Sequence, residues 1–262
     1  MKNPFWKMHG AGNDFILVDD RSLRFPVADK AFVVHLCDRH RGIGSEGLLL
    51  IHPSATAHFR MRFFNPDGSE ADLCGNGARC IARLAFEIGA APADMHIETA
   101  AGTLRAEILH PLVRLHLPPP KDWHLNFSIE WNNQEVPLHF VNSGVPHAVC
   151  VVQDVARVNV PELGSFIRHH PLFAPGGTNV DFIQITGSHS LSIRTYERGV
   201  EAETLACGTG IAAAALVAEK ANMLNDPVCV TTAGGDSLEV DFSPLTLTGP
   251  AEHSFQGEID YR

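Results

Sequence analysis

Apolar and polar positions alternate along much of this chain in short runs bounded by glycine, proline and asparagine, and two longer runs break that rhythm. The short runs predict strands at residues 15–18, 48–51, 59–64, 95–98, 103–108 and 114–117. Helical spacing of Ala31, Val34, His35 and Asp38 predicts a helix over residues 29–39, ended by Gly42, Gly44 and Gly47. The longer runs, residues 78–88 and 211–220, are rich in alanine and aliphatic side chains. Each reads as a helix too apolar all round to lie on a surface, so strands must wrap it. Gly89 stands where the first of these helices needs a C′ residue.

Both helices are opened by the same device. Asp67-Gly68-Ser69-Glu70-Ala71-Asp72-Leu73-Cys74-Gly75-Asn76-Gly77 leads into one, and Ala206-Cys207-Gly208-Thr209-Gly210 into the other, about half of the 262-residue chain apart. Other landmarks repeat in order. Asn179-Val180-Asp181-Phe182-Ile183 is similar to Asn13-Asp14-Phe15-Ile16, and Arg194 to Gly199 to the stretch from Arg62 to Asn65. Thr231-Thr232-Ala233-Gly234-Gly235 before Leu238 matches Thr99-Ala100-Ala101-Gly102 before Leu104. The pattern predicts an α/β (α+β) fold of two pseudosymmetric halves, each a β-sheet wrapped around a central apolar helix. Pro118-Pro119-Pro120 fits neither a helix interior nor a central strand and marks the boundary. The halves are then residues 1–118, carrying Cys74, and 119–249, carrying Cys207, with residues 250–262 able to return to the first.

Composition narrows the function. The chain is 45% apolar and 19% charged, an ordinary globular balance, with a net charge of −10 and no basic block or stripe. Nucleic acid and acidic membranes are therefore disfavoured as partners, and a small solute is expected. The N-terminal stretch lacks a signal-peptide apolar core, and no window approaches the roughly 18 apolar residues of a membrane helix, which points to the cytoplasm. Six cysteines in such a chain should be reduced. No Cys-x-x-Cys pair occurs, and Cys74 and Cys80 are spaced for neither a zinc knuckle nor a thioredoxin-type site, so no metal is expected. Cys37, Cys80, Cys150 and Cys229 read as small buried apolar side chains.

Cys74 and Cys207 differ by context. A cysteine at a helix start meets the positive end of the macrodipole and unpaired N–H groups, which should lower its pKa toward thiolate. The following Gly-x-Gly lets several amides approach an anion such as a carboxylate. Two such units facing one another could clamp a small carboxylic acid with its α-carbon between two sulfurs, one a thiolate base and the other a thiol acid. That is the arrangement for inverting a stereocentre. The few lysines have no Schiff-base context, so reaction without a cofactor is the simplest reading.

Lys7-Met8-His9-Gly10-Ala11-Gly12-Asn13-Asp14-Phe15, Cys74-Gly75-Asn76-Gly77-Ala78-Arg79-Cys80, Pro146-His147, Asn179-Val180, Glu197-Arg198-Gly199 and Glu203-Thr204-Leu205-Ala206-Cys207-Gly208-Thr209-Gly210 together resemble diaminopimelate epimerase. The resemblance implies two pseudosymmetric α/β domains with the site in the cleft between them. It also implies interconversion of LL- and meso-diaminopimelate without pyridoxal phosphate, in lysine and peptidoglycan precursor synthesis, by a homodimer. On that basis Cys74 and Cys207 are the acid/base pair, with His147 and Glu197 setting their protonation. The amides of Gly75, Asn76, Gly208 and Thr209 hold the reacting α-carboxylate. Asn13, Asn65, Asn179, Glu197 and Arg198 read the distal amino-acid end, Arg198 as a fork donor for a carboxylate and Glu197 as partner of an ammonium.

The chain departs from the family pattern at the distal end. Val145 stands where Asn commonly precedes Pro-His and cannot donate to a carboxylate; Asn142 is the nearest amide able to compensate. Gly199-Val200-Glu201-Ala202-Glu203-Thr204 is one residue longer than the usual Gly-x-Gly-Glu-Thr, and Gly47 stands where some members have Gln. The alternatives are another two-cysteine racemase, acting on histidine or a hydroxyproline-like imino acid, and, from a different class, a redox or zinc-binding module.

Overall fold

The computed structural model describes residues 2–260; Met1, Tyr261 and Arg262 lie outside them. The chain divides into two compact units, one running up to His116 and resuming at Gly249, the other Leu117–Thr248. The first unit contains strands β1 (Lys2–Gly10), β2 (Asn13–Asp19), β3 (Leu48–His52), β4 (Phe59–Phe64), β5 (Glu70–Ala71), β6 (Asp94–Thr99), β7 (Gly102–Leu109) and β8 (Leu112–His116), with helices α1 (Lys30–Cys37) and α2 (Gly75–Glu87). β1 lies between β2 and the C-terminal strand Glu252–Asp260, antiparallel to both. β2 and β3 are parallel, β3 and β4 antiparallel; β4 then pairs antiparallel with β5 and parallel with β6, and β6, β7 and β8 form an antiparallel meander.

The second unit contains β9 (Lys121–Trp131), β10 (Gln134–Asn142), β11 (Pro146–Val151), β12 (Asn179–Gly187), β13 (Ser190–Glu197), β14 (Ala202–Thr204), β15 (Val228–Thr231), β16 (Ser237–Phe242) and β17 (Leu245–Pro250), with α3 (Val160–Arg168) and α4 (Gly208–Lys220). Its ladders repeat the order of the first: β9, β10 and β11 antiparallel, β11 with β12 parallel, β12 with β13 antiparallel, β13 with β14 antiparallel and with β15 parallel, then β15, β16 and β17 antiparallel. The C-terminal strand and β1–β8 are thus counterparts of β9–β17. One landmark has to be reassigned. Asn179 opens β12, the counterpart of β3, whereas Asn13 opens β2, the counterpart of β11. An asparagine leaving a turn into an apolar strand is a local signal that recurs without equivalent register.

α2 packs on β1, β2, β7 and β8, and α4 on β10, β11, β12 and β16. Alanines at 212 to 215 in α4 are fully buried, letting strand side chains approach the helix axis closely. α2 is not apolar all round as expected: fully buried Arg79 donates from Nε to Pro250 O, and Arg83 from Nη1 to Ala251 O, at 3.1 and 2.6 Å. Those carbonyls supply the acceptors that allow cationic side chains on a central helix. Both helices also begin three residues before their apolar runs, because each Gly-x-Gly forms the first helical turn with the cysteine as N-cap in extended conformation. Cys229 is a further correction, since it is exposed: on β15 it points away from the side that buries Val228 and Val230. Among the described residues no helix is long and apolar enough to cross a membrane.

Candidate active site

In the first unit, the Sγ of Cys74 accepts from the N–H of Gly77 at 3.5 Å and lies 3.8 Å from Asn13 Oδ1, to which its S–H donates. Asn13, the first residue of β2, also receives Asn76 Nδ2 at 3.3 Å, and its own Nδ2 donates to Glu46. Arg79 Nη2 donates to Asn76 Oδ1 at 2.8 Å from the fully buried side. Cys74, Asn13 and Asn76 are therefore assembled at one helix start. The backbone amides of Gly75 and Asn76 occupy the first turn of α2, where a helix presents N–H groups to an anion. Asn65 lies in the turn between β4 and β5, its Nδ2 donating to Ser69 Oγ at 3.0 Å.

Around this cluster the charges are paired. Asp14 receives buried Lys7 and both Nη atoms of Arg39. Burial works against its charge, but the bonds from Arg39 and Lys7 prevail and hold the carboxyl below its ordinary range. Glu46 is shifted the other way: burial raises it, and the bond from Asn13 does not offset that.

In the second unit the sulfur of Cys207 lies 3.5 Å from Thr209 Oγ1, which in turn lies 2.9 Å from His147 Nε2. His147 Nδ1 is 2.7 Å from Asp181 Oδ2, and the other oxygen of that carboxylate accepts from Thr195 Oγ1 at 2.7 Å. His147 on β11, Asp181 on β12 and Thr195 on β13 come from three adjacent strands, with Asp181 and Thr195 directly paired in register. His147 and Asp181 are fully buried. Gly210, in the first turn of α4, covers them so closely that a Cβ there would sit 2.5 Å from Asp181 Oδ1.

This packing overturns the expected titration of Cys207. Burial pushes its thiol well above the ordinary value, and the charges of Glu197 and Asp181 push it further; the Thr209 hydroxyl and the Gly210 N–H favour the thiolate without offsetting them. These causes favour the neutral thiol at Cys207. A helix start lowers a thiol only where water or compensating charge remains; Glu197 was expected near the thiols, but the buried Asp181 was not.

At the distal end, Asn179 Oδ1 accepts from the N–H of Arg198 at 2.8 Å while its Nδ2 donates to Pro146 O at 3.0 Å. Asn179 thus ties the Arg198 backbone to the Pro146-His147 strand. The Arg198 side chain borders an open cavity of about 420 Å³ whose other walls include Phe127, Phe140 and Phe173. Asn142 does not replace the amide missing at Val145: its Oδ1 accepts from Gly144 N at 3.1 Å and its Nδ2 donates to Asp122 at 3.3 Å. A side chain at position 47 would force its surroundings to shift, since a Cβ there would lie 2.5 Å from the Phe63 ring and 2.9 Å from Phe64 O.

A family model described as diaminopimelate epimerase matches residues 5–113 and 139–252. The chain belongs to that family. It is 42% identical to the diaminopimelate epimerase of Aquifex aeolicus (strain VF5), covering 97% of each chain, and 42% identical to that of Chlorobaculum tepidum (strain ATCC 49652 / DSM 12025 / NBRC 103806 / TLS), covering 96% of this chain and 99% of the relative. Its fold is shared more widely: a crystal structure of a probable proline racemase from Agrobacterium radiobacter K84 superposes with a TM-score of 0.74 at 17% identity, over 99% of this chain and 93% of that one. In this diaminopimelate epimerase family member, Glu197, His147, Gly208 and Thr209 gather at the helix start of Cys207, while Asn179 joins the Arg198 backbone to Pro146, the neighbour of His147. Sequence reasoning missed Asp181, Thr195 and the Thr209 hydroxyl. A single Asp in the apolar run Val180-Asp181-Phe182-Ile183 was the available signal, because a strand buries an acid only with a partner.

Proposed function

We propose that the chain interconverts LL- and meso-diaminopimelate by cofactor-independent proton transfer in lysine and peptidoglycan precursor synthesis, with Cys74 and Cys207 as the acid/base pair. One sulfur, as thiolate, takes the α-proton; the C–H electrons are left on the α-carbon and spread into the carboxylate. The other sulfur, as thiol, delivers its proton to the opposite face, and the two cysteines end with exchanged protonation. The observation that carries this reading is that each cysteine N-caps a buried helix through a Gly-x-Gly first turn at equivalent points of two units with identical ladder order.

An amino-acid α-proton is many units less acidic than a thiol, at about 1.4 kcal/mol per unit. The amides of Gly75, Asn76, Gly208 and Thr209 are assigned to hold the α-carboxylate, where each well-placed donor contributes several kcal/mol to the carbanion. His147 and Glu197 set thiol protonation. Asn13, Asn65, Asn179, Glu197 and Arg198 are assigned to the distal end, Asn13 and Asn179 through the groups they fix. The enzyme is expected to work as a cytoplasmic homodimer, which light scattering of the purified protein checks. The substrate is tested by incubating the protein in D2O with LL-diaminopimelate, histidine and hydroxyproline separately and following α-proton exchange by NMR. Exchange confined to diaminopimelate supports the assignment; exchange only with histidine or hydroxyproline overturns it.

A further inference from the structure

Behind the Cys207 thiol runs a line of hydrogen bonds that two-thiol chemistry does not in itself require: Cys207 Sγ to Thr209 Oγ1, Thr209 Oγ1 to His147 Nε2, His147 Nδ1 to Asp181, and Asp181 to Thr195. We propose that Thr209 and the His147–Asp181 pair form a proton relay that converts Cys207 from thiol to thiolate, with Asp181 as its positioning residue. The proposal rests on the reading that Cys207 is one of the acid/base pair.

The chemistry follows from which atoms can donate. Asp181 as a carboxylate only accepts, and one of its oxygens already takes the Thr195 hydroxyl, so it fixes the imidazole proton on Nδ1. Nε2 is left with its lone pair toward Thr209. The Thr209 hydroxyl donates to Nε2 and accepts the Cys207 S–H. In the relay step the S–H bond breaks and its electron pair stays on sulfur; the proton passes to Thr209 Oγ1 as the threonine's own proton passes to Nε2. Thr209 is unchanged, and a thiolate and an imidazolium remain, the latter paired with Asp181. Running backwards, the same step restores the thiol.

The sequence of charges explains why the pair is needed. Each turnover in one direction requires Cys207 as thiolate, in a place where burial opposes it. The titratable groups facing it are Glu197 at the end of β13, Asp181 on β12 and His147 on β11. Both carboxylates repel a thiolate; a proton on His147 offsets the share that comes from Asp181. Asp181 therefore has opposite effects as a bare charge and as the partner of an imidazolium, and the sign of its removal distinguishes them. The Asn13 amide beside Cys74 cannot accept a proton in this way, so Cys74 serves as the internal reference.

The test is site-resolved alkylation by iodoacetamide near neutral pH, without substrate, read by mass spectrometry on wild type, Asp181→Asn, Thr209→Val and Thr209→Ser. Asp181→Asn and Thr209→Val should each slow Cys207 labelling about tenfold or more, the effect of losing one unit of opposite-charge stabilisation, while Thr209→Ser retains most of the rate and Cys74 labelling is unchanged. Faster labelling of Cys207 in Asp181→Asn, or a wild-type rate in Thr209→Val, overturns the relay. If Asp181→Asn does not fold, Thr209→Val, which leaves the His147–Asp181 bond intact, decides the matter alone. Because no substrate is present, the relay can stand while diaminopimelate exchange fails, or fail while that exchange persists.

Discussion

Replacing Gly210 by alanine adds one methyl group at the point where α4 touches the buried carboxylate. The new Cβ would lie 2.5 Å from Asp181 Oδ1 and 3.3 Å from His147 Cε1. Asp181 cannot swing away cheaply, because both its oxygens are held at 2.7 Å, by His147 and Thr195. Overpacking of this kind costs about 1–3 kcal/mol, against which the helix propensity of alanine over glycine returns about 1 kcal/mol. A net loss of up to about 2 kcal/mol is expected, lowering the melting temperature by about 2–4 °C per kcal/mol. Epimerase activity should fall at least about tenfold as the Asp181–His147 bond is displaced, equivalent to about 1.4 kcal/mol in the barrier. The matched control is Gly77→Ala at the same position of α2. There the Cβ would crowd the tip of Leu49, 3.1 Å away, where a flexible leucine can yield, and would touch Cys74 Cβ at an ordinary 3.6 Å. Its stability should stay within about 0.5 kcal/mol of wild type. Thermal melts and initial rates on both variants check the argument, which fails if Gly210→Ala matches wild type or if Gly77→Ala is damaged equally.

Cys74→Ala and Cys207→Ala should each reduce net epimerisation by about 10²–10⁴-fold or more, the range for a lost acid or base, and a variant turning over at the wild-type rate removes the two-thiol mechanism. Cys80, fully buried, has its thiol pushed up to about 12 by burial, whereas Cys229 is exposed. Alkylation of the native protein near neutral pH should therefore label Cys229 and leave Cys80 untouched, and early labelling of Cys80 would contradict the packing of α2. Glu70 is held below the ordinary carboxylate value of 4.5 chiefly by the Arg62 side-chain bonds. That stabilisation is present above the unfolded value and is lost as pH falls through the folded one. Glu70→Gln should cost less than about 1 kcal/mol at neutral pH, because the pair is partly exposed and screened, and the gap from wild type should close in acid; urea denaturation at both pH values checks this. Lys7→Met leaves half-buried Asp14 with Arg39 as its remaining partner, so about 2 kcal/mol should be lost, less than for a buried charge left wholly alone; an unchanged urea midpoint would show that Arg39 suffices.

Much of the plan was legible because it is local. Cysteine, glycine and the apolar runs that follow them mark both helices, and the proline run marks the change of unit. What escaped was set by pairing across the fold. The hairpin of β9 and β10 turns on Asn132 and Asn133, both with positive φ, a type I′ signal masked by the largely exposed face of β9. The Asn13–Asn179 likeness suggested a register that the ladders do not have. Arg79 was hidden in an apparently apolar helix because one of its acceptors, Pro250 O, comes from more than half the chain away. The candidate cysteines were visible from spacing, but the state of Cys207 was not, since it depends on Asp181 and Glu197 arriving from neighbouring strands. The distal end was legible only in part: Val145 and Gly47 were visible as departures, while the occupation of Asn142 and the crowding of position 47 by Phe63 required the fold.

The most direct test of the two-thiol account is to run LL-diaminopimelate in D2O and stop the reaction while most substrate remains. Two bases on opposite faces predict that the meso product carries solvent deuterium at the inverted centre from the first turnover, with the recovered LL substrate still protiated. Product that retains the substrate's own proton at that centre would contradict the account.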